Sequence, residues 1–125
     1  MFALSFGHGS FNYPASEQYI TLVIAPKAGY SSADDFLTHA FAFLNTDDDF
    51  RDDWDEILQR RCDTPASAED INELQAHFAA MNEKISILHE PVLSAVHLVR
   101  PQWNEVYMLI ETASEYLFYL WGTTA

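Results

Sequence analysis

The chain has 125 residues, a hydrophobic fraction of 49% and a formal net charge of −13 at pH 7. This length fits a single domain spanning residues 1–125, and the apolar content excludes a disordered chain, because disorder requires low hydrophobicity together with high charge. The acidic balance excludes direct nucleic-acid binding through phosphates, which needs Lys and Arg, and it opposes binding to anionic membranes.

Three features of the sequence favour the cytoplasm. Residues 1–8 contain neither the basic segment nor the long apolar core of a signal peptide. Apolar runs stay well short of the roughly 20 residues that are needed to span a bilayer. Cys62 is the only cysteine, so an intramolecular disulfide cannot form, which suits a reducing compartment. We therefore expect a cytoplasmic protein.

The chain opens with two predicted strands. Residues 2–6 fit a short strand, and the segment that follows, with its Gly, Asn and Pro residues, fits a loop. Residues 18–25 are rich in β-branched side chains and are followed by Pro26, which predicts a buried strand.

Three helices are predicted in the middle of the chain. The first begins at a capping box formed by Ser32 and Asp35, and the third at one formed by Ser67 and Asp70. The second begins at Thr46, where three aspartates fill the first turn and are favoured by the helix dipole. Apolar side chains at helical spacing follow each start, at Phe36, Leu37, Ala40, Phe41 and Leu44, at Phe50, Trp54, Ile57 and Leu58, and at Ile71, Leu74, Phe78, Met81 and Ile85.

The last third of the chain is rich in strand signals. Residues 92–100 fit a strand, while 85–88 fit either a helix end or an extended segment, so the sequence leaves 83–100 open between the two. Residues 105–111 and 116–121 are strong strand candidates joined by a hairpin connection. Both are apolar on each face, which indicates strands covered on both sides or one aromatic face available to a partner or a dimer mate.

The order of these elements predicts the fold class. Strand, helices and then antiparallel strands indicate an α+β fold. In this arrangement, three helices from the middle of the chain pack on a mostly antiparallel sheet. The sheet is built from an N-terminal strand and a C-terminal hairpin or meander.

Candidate chemical motifs fail on spacing or on residue type. Oxygen-bearing side chains match an EF-hand spacing at Asn45, Asp47, Asp49, Asp53 and Glu56. However, Phe50 occupies the position of the sharp turn, where calcium loops use Gly. The histidines show no metal-binding pair, and each fits a surface or core-edge position. The sequence therefore predicts no catalytic residue, no metal site and no cofactor.

The most informative feature is a concentration of acidic residues between Asp34 and Glu56. Helix starts account for several of them, but the later ones place like charges three or four residues apart on one helix. Such pairs destabilise a helix by about 0.2–0.5 kcal/mol each. A surface that is costly to maintain indicates a partner, and the alternative interpretation is a solvated helix face that binds nothing. The predicted partner-binding residues are Asp48, Asp49, Asp52, Asp53, Asp55 and Glu56.

In size, charge and α+β pattern, the chain resembles the broad class of small acidic bacterial toxin immunity proteins, and its closing segment Glu115–Ala125 is similar to endings found in them. The resemblance implies a stoichiometric inhibitor that neutralises a basic, nuclease-like toxin domain. Acidic groups would occupy the cationic substrate cleft of the toxin and speed association by electrostatic steering. The resemblance names no specific family and transfers no site residues.

Two other functions fit the same features. A nucleic-acid mimic that inhibits a DNA-binding defence protein needs carboxylates spaced like phosphates along one face. A non-catalytic structural or regulatory homodimer needs apolar strands for self-association and no cationic partner. An enzyme is the least supported class, because the sequence carries no catalytic signature.

Overall fold

A six-stranded antiparallel sheet forms the centre of the fold. The computed structural model describes residues 2–6, 18–44, 53–85 and 90–123. The strands are β1 (Phe2–Phe6), β2 (Gln18–Pro26), β3 (Thr64–Pro65), β4 (Ser94–His97), β5 (Glu105–Glu111) and β6 (Glu115–Thr123). They lie in the order β1-β2-β6-β5-β4-β3. The helices are α1 (Ala33–Leu44), α2 (Asp53–Arg60) and α3 (Ala68–Ile85), and a short 3-10 helix spans Lys27–Gly29.

The C-terminal hairpin occupies the middle of the sheet. Strands β5 and β6 pair from Glu105 opposite Gly122 to Glu111 opposite Tyr116, and β6 also pairs along the whole of β2. The predicted α+β class, the hairpin and the strand within 92–100 are confirmed. The sheet therefore brings together the apolar segments from the two ends of the chain.

Helices cover both faces of the sheet. Helices α1 and α2 lie on one face, where Phe41 packs on Phe118 with ring centroids 4.8 Å apart. Helix α3 lies on the other face, where Phe78 packs edge-on against Tyr119 at 6.3 Å. Leu117 and Tyr119 are buried on the α3 face, and Phe118 and Leu120 on the α1 face. The alternative of an aromatic face left open on this strand is therefore wrong; on the α3 side, Tyr119 and the half-buried Trp121 line a cavity between the strand and the helix.

Both predicted capping boxes are present, although the first differs in detail. The Asp70 N–H donates to Ser67 Oγ at 3.1 Å, and Asp70 Oδ2 accepts from the Ser67 N–H at 3.4 Å. At α1 the Asp35 N–H donates to Ser32 Oγ at 3.1 Å. The Asp35 carboxylate instead accepts from the N–H of Ser31, at 2.9 Å. The starts of α1 and α3 are thus each fixed by a local side chain.

Parts of the sequence predictions fall outside the described residues. The predicted start of the second helix at Thr46 lies there, as do residues 86–89, where the sequence left helix and strand open. The calcium-like spacing also falls mostly in 45–52. Among the helices of the described ranges, none combines the length and the apolar character needed to cross a membrane.

Candidate functional site

The predicted acidic surface is partly visible on α2. Asp53 begins this helix, and Asp55 and Glu56 are exposed on it. Asp48, Asp49 and Asp52 lie outside the described residues. The structure therefore places Asp55 and Glu56 together on one solvent-facing helix.

Helix α2 is held against the sheet by an apolar side chain that points away from solvent. Ile57 is 1% exposed and belongs to the core beneath α1. Its neighbour Leu58 is 46% exposed, one turn after Asp55. The helix therefore presents carboxylates and one large apolar side chain from a fixed support.

Two arginines near the end of α2 are already paired with carboxylates. Arg60 lies 3.4 Å from Glu56 and 3.2 Å from Glu105. Arg61 lies 2.8 Å from Asp63 and 2.6 Å from Asp34. Hydrogen bonding to Asp63, and then to Asp34, raises the pKa of the Arg61 guanidinium. Because these pairs are solvent-accessible, each contributes about 0–1 kcal/mol to stability.

The cations do not neutralise the whole acidic surface. Glu56 shares Arg60 with Glu105, whereas Asp55 forms no ion pair with any residue of the described ranges. Among the described residues, no cation therefore compensates the charge of Asp55 at the exposed face of α2. In this part of the acidic surface it is the residue best placed to meet a cation from another molecule.

A second candidate site lies on the opposite face of the sheet. A cavity of about 280 Å³ opens between α3, the turn after β4 and strands β5 and β6. Its polar and aromatic lining comprises Asp70, Glu73, His77, His97, Gln102, Trp103, Tyr119 and Trp121. Apolar side chains such as Val106 and Met108 complete the lining from the sheet. A concave site in which polar side chains converge beside an apolar wall is typical of ligand binding.

The first polar pair in this cavity joins α3 to the sheet. Nε2 of His97 lies 3.0 Å from Oδ2 of Asp70. Hydrogen bonding to His97 is the main cause that lowers the pKa of Asp70, with the bond to Ser67 adding to it. Because an ionised carboxylate only accepts hydrogen bonds, Nε2 carries the hydrogen. His97 is 4% exposed, and its Nδ1 has no hydrogen-bond partner among the described residues.

The second polar pair joins His77 of α3 to Tyr119 of β6. The Tyr119 hydroxyl lies 2.7 Å from Nδ1 of His77. Burial lowers the pKa of His77 and raises the pKa of Tyr119. Both groups are therefore neutral near pH 7, and the hydroxyl donates to the imidazole nitrogen. This pair fixes one side of the cavity without a net charge.

The sequence did not reveal this cavity. It assigned every histidine to a surface or core-edge position, which holds for exposed His39 and half-buried His77 and is wrong for buried His97. His77 and His97 belong to different elements, and only the packing of α3 on the sheet brings both to one cavity. His97 follows buried Ala95 by two residues on β4, so the two side chains share one face of the sheet. This spacing is the signal that could have indicated an inward-facing histidine.

Other reactive groups lie elsewhere. Cys62 is exposed, and its sulfur accepts a hydrogen bond from the Thr64 hydroxyl at 3.3 Å. Across the described ranges, no three His, Cys, Asp or Glu side chains are grouped so that they could hold a metal ion.

Comparisons with protein-family models, with curated proteins and with solved structures found no match.

Proposed function

We propose that this chain is a stoichiometric inhibitor that binds a basic protein, and that it is an immunity protein for a nuclease-like toxin domain. The observation that carries the proposal is the exposed face of α2, where Asp55 and Glu56 lie beside exposed Leu58. No catalytic group on this chain is needed, because occupation of the toxin's substrate cleft is sufficient for inhibition.

Charge supports the proposal through association kinetics. A formal charge of −13 produces a negative field that attracts a cationic partner before contact. Electrostatic steering of this kind raises association rates towards about 10⁸–10⁹ M⁻¹s⁻¹ at low salt, compared with roughly 10⁵–10⁶ M⁻¹s⁻¹ without it. A toxin that must be blocked as soon as it appears favours such fast capture.

The structure of α2 supports the proposal through preorganisation. Ile57 anchors the helix in the core, so Asp55 and Leu58 are presented without further ordering of the backbone. Binding then costs less conformational entropy than it would from a flexible acidic segment. An apolar side chain next to the charges supplies the desolvated contact on which tight interfaces depend.

The test is recovery of the partner with charge-matched variants. The tagged chain is expressed in its native cells, and retained proteins are compared for the wild type, for Asp55→Asn with Glu56→Gln, and for Glu69→Lys. Glu69→Lys changes the net charge by the same amount at an exposed position on the opposite side of the sheet, outside the cavity lining. We expect a basic nuclease-like protein to be retained by the wild type and by this control, and to be lost from the α2 variant.

Other outcomes would contradict the proposal. Equal retention by the wild type and both variants would show that α2 is not the binding surface. Retention of a DNA-binding defence protein would favour the nucleic-acid mimic instead. Recovery of the chain alone, as a dimer unaffected by charge removal, would favour the structural or regulatory homodimer.

A further inference from the structure

We infer that the cavity between α3 and the sheet binds a small organic cation, namely an ammonium or guanidinium group carried on a short apolar stem. This inference goes beyond the proposed function and does not depend on it. Helix α2 and this cavity lie on opposite faces of the sheet, so the two sites can be altered separately.

The charges of the cavity select a cation. Asp70 and Glu73 lie three residues apart on α3, which places them on one side of the helix. The described residues that line the cavity include no Lys and no Arg. Asp70 is held by His97 at 3.0 Å, while Glu73 is exposed one turn further along α3. An entering cation would therefore meet two carboxylates and no competing positive side chain.

The aromatic lining favours an organic cation over a bare ion. Trp103 lies on the turn between β4 and β5 and is 72% exposed, although it borders the cavity. An indole ring is the best aromatic partner for an ammonium or guanidinium group, because its negative face attracts the cation. That turn is closed by a hydrogen bond from the Gln102 N–H to the Glu105 carbonyl, at 3.0 Å, which gives Trp103 a fixed support.

The interior of the cavity suits an apolar stem of limited length. Val106, Met108 and Leu74 supply apolar wall. The volume of about 280 Å³ is slightly below the roughly 300–1,000 Å³ that is usual for ligand pockets, so a bound molecule must be small. His97 is a buried lining residue, and its Nδ1 has no hydrogen-bond partner within the described ranges. A single cationic group with a short stem matches these dimensions, whether it comes from a free amine or from a Lys or Arg side chain.

The experiment uses butylguanidinium as the probe and butylurea as a neutral probe of the same shape. Binding to the full chain is followed by isothermal titration calorimetry and by the indole N–H resonance of Trp103. We expect saturable binding of butylguanidinium and at least tenfold weaker binding of butylurea. Glu73→Gln and Trp103→Ala should each weaken butylguanidinium by about threefold to tenfold, since each removes one contact with the cation.

Matched variants and probes decide the result. Glu69→Gln removes a charge from the same helix outside the cavity lining, and Asp55→Asn with Glu56→Gln removes charge from α2; both should keep the affinity within twofold. The inference is overturned if butylguanidinium does not saturate, if butylurea or butyrate binds equally well, or if Glu69→Gln weakens binding as much as Glu73→Gln. A blocked Gly-Arg-Gly peptide that binds tighter than the free probe identifies a protein side chain as the source, and weaker binding identifies a free amine or guanidine.

Discussion

Nε2 of His97 on β4 lies 3.0 Å from Oδ2 of Asp70, in the first turn of α3. The same carboxylate oxygen accepts the Ser67 N–H and so takes part in the helix cap. One side chain therefore fixes the start of α3, holds a buried imidazole and lines the cavity. The position of the helix on the sheet depends on this contact as well as on apolar packing.

Replacing Asp70 by Asn should lower the free energy of unfolding by about 1–2 kcal/mol, because it removes a charge-assisted hydrogen bond from a partly exposed carboxylate. Urea unfolding at pH 7 measures this, with Glu69→Gln expected within about 0.5 kcal/mol of the wild type. The low pKa of Asp70 adds stability that is present above its ordinary value of 3.8 and is lost as the pH falls below it. The two proteins should therefore converge in strong acid, and equal stability at pH 7 would contradict the prediction.

Lowering the pH from about 7 to 5 should destabilise the chain partly through His77. Burial lowers the pKa of this imidazole below its ordinary 6.5, so the unfolded state takes up a proton first as the pH falls. The free energy of unfolding is therefore unaffected by the titration of His77 above pH 6.5, and it declines as the pH falls below that value. His77→Gln should flatten the change in unfolding free energy across this range. Tyr119→Phe should keep the pH dependence of the unfolding free energy, since burial and not the tyrosine hydroxyl is the main cause of the lowered pKa of His77. An unchanged pH dependence in His77→Gln would contradict the prediction.

Replacing a buried phenylalanine of the central strand β6 by alanine should lower the free energy of unfolding far more than replacing an exposed leucine by alanine. Phe118 is buried under α1, between Phe41 at 4.8 Å and Tyr107 at 6.5 Å, as ring-centroid distances. Phe118→Ala should lower the free energy of unfolding by about 3–5 kcal/mol, because transfer and cavity costs add. Leu93→Ala, at a mostly exposed position, should stay within about 0.5 kcal/mol. Similar losses for the two variants in denaturant unfolding would show that this face is not a packed core.

A methyl group at Gly122 should collide with Tyr19 across the β2–β6 pair. The two residues are opposite one another, and a Cβ at Gly122 would overlap the phenol ring. Gly122→Ala should cost up to about 1 kcal/mol, because the ring must leave its position over the glycine but forms the outer end of a partly exposed side chain that can rotate away. In a Tyr19→Ala background the same substitution should be nearly neutral. A double-mutant cycle by thermal unfolding measures the coupling, and simple additivity would exclude the contact.

Local patterns in the sequence predicted most of the fold because they depend on neighbouring residues. Ser67 and Asp70 form the expected box, and the continuous apolar runs of 105–111 and 116–121 form the hairpin. The detail at α1 differed, since the Asp35 carboxylate bonds the N–H of Ser31 rather than that of Ser32. Such shifts of one residue lie in loop geometry, which spacing along the chain does not determine.

The cavity could not be predicted because it arises from packing between distant segments. Asp70 was recognisable as a helix cap, but its bond to His97 depends on where α3 lies over β4. The coverage of Leu117 and Tyr119 likewise depends on α3 crossing to the opposite face from α1, which no local period encodes. Charge patterning did identify Asp55 and Glu56 as exposed acidic residues, and their partner-binding role stays a prediction.

The central claim is that the acidic face of α2 captures a basic partner, and the most direct measurement is the salt dependence of the association rate. Rates for the recovered partner are compared by stopped flow at low and physiological ionic strength, for the wild type and for Asp55→Asn with Glu56→Gln. We predict slower association of the variant at low salt and a shallower dependence on ionic strength, because two steering charges are lost. Identical rates and identical salt dependence in the two proteins would contradict the claim.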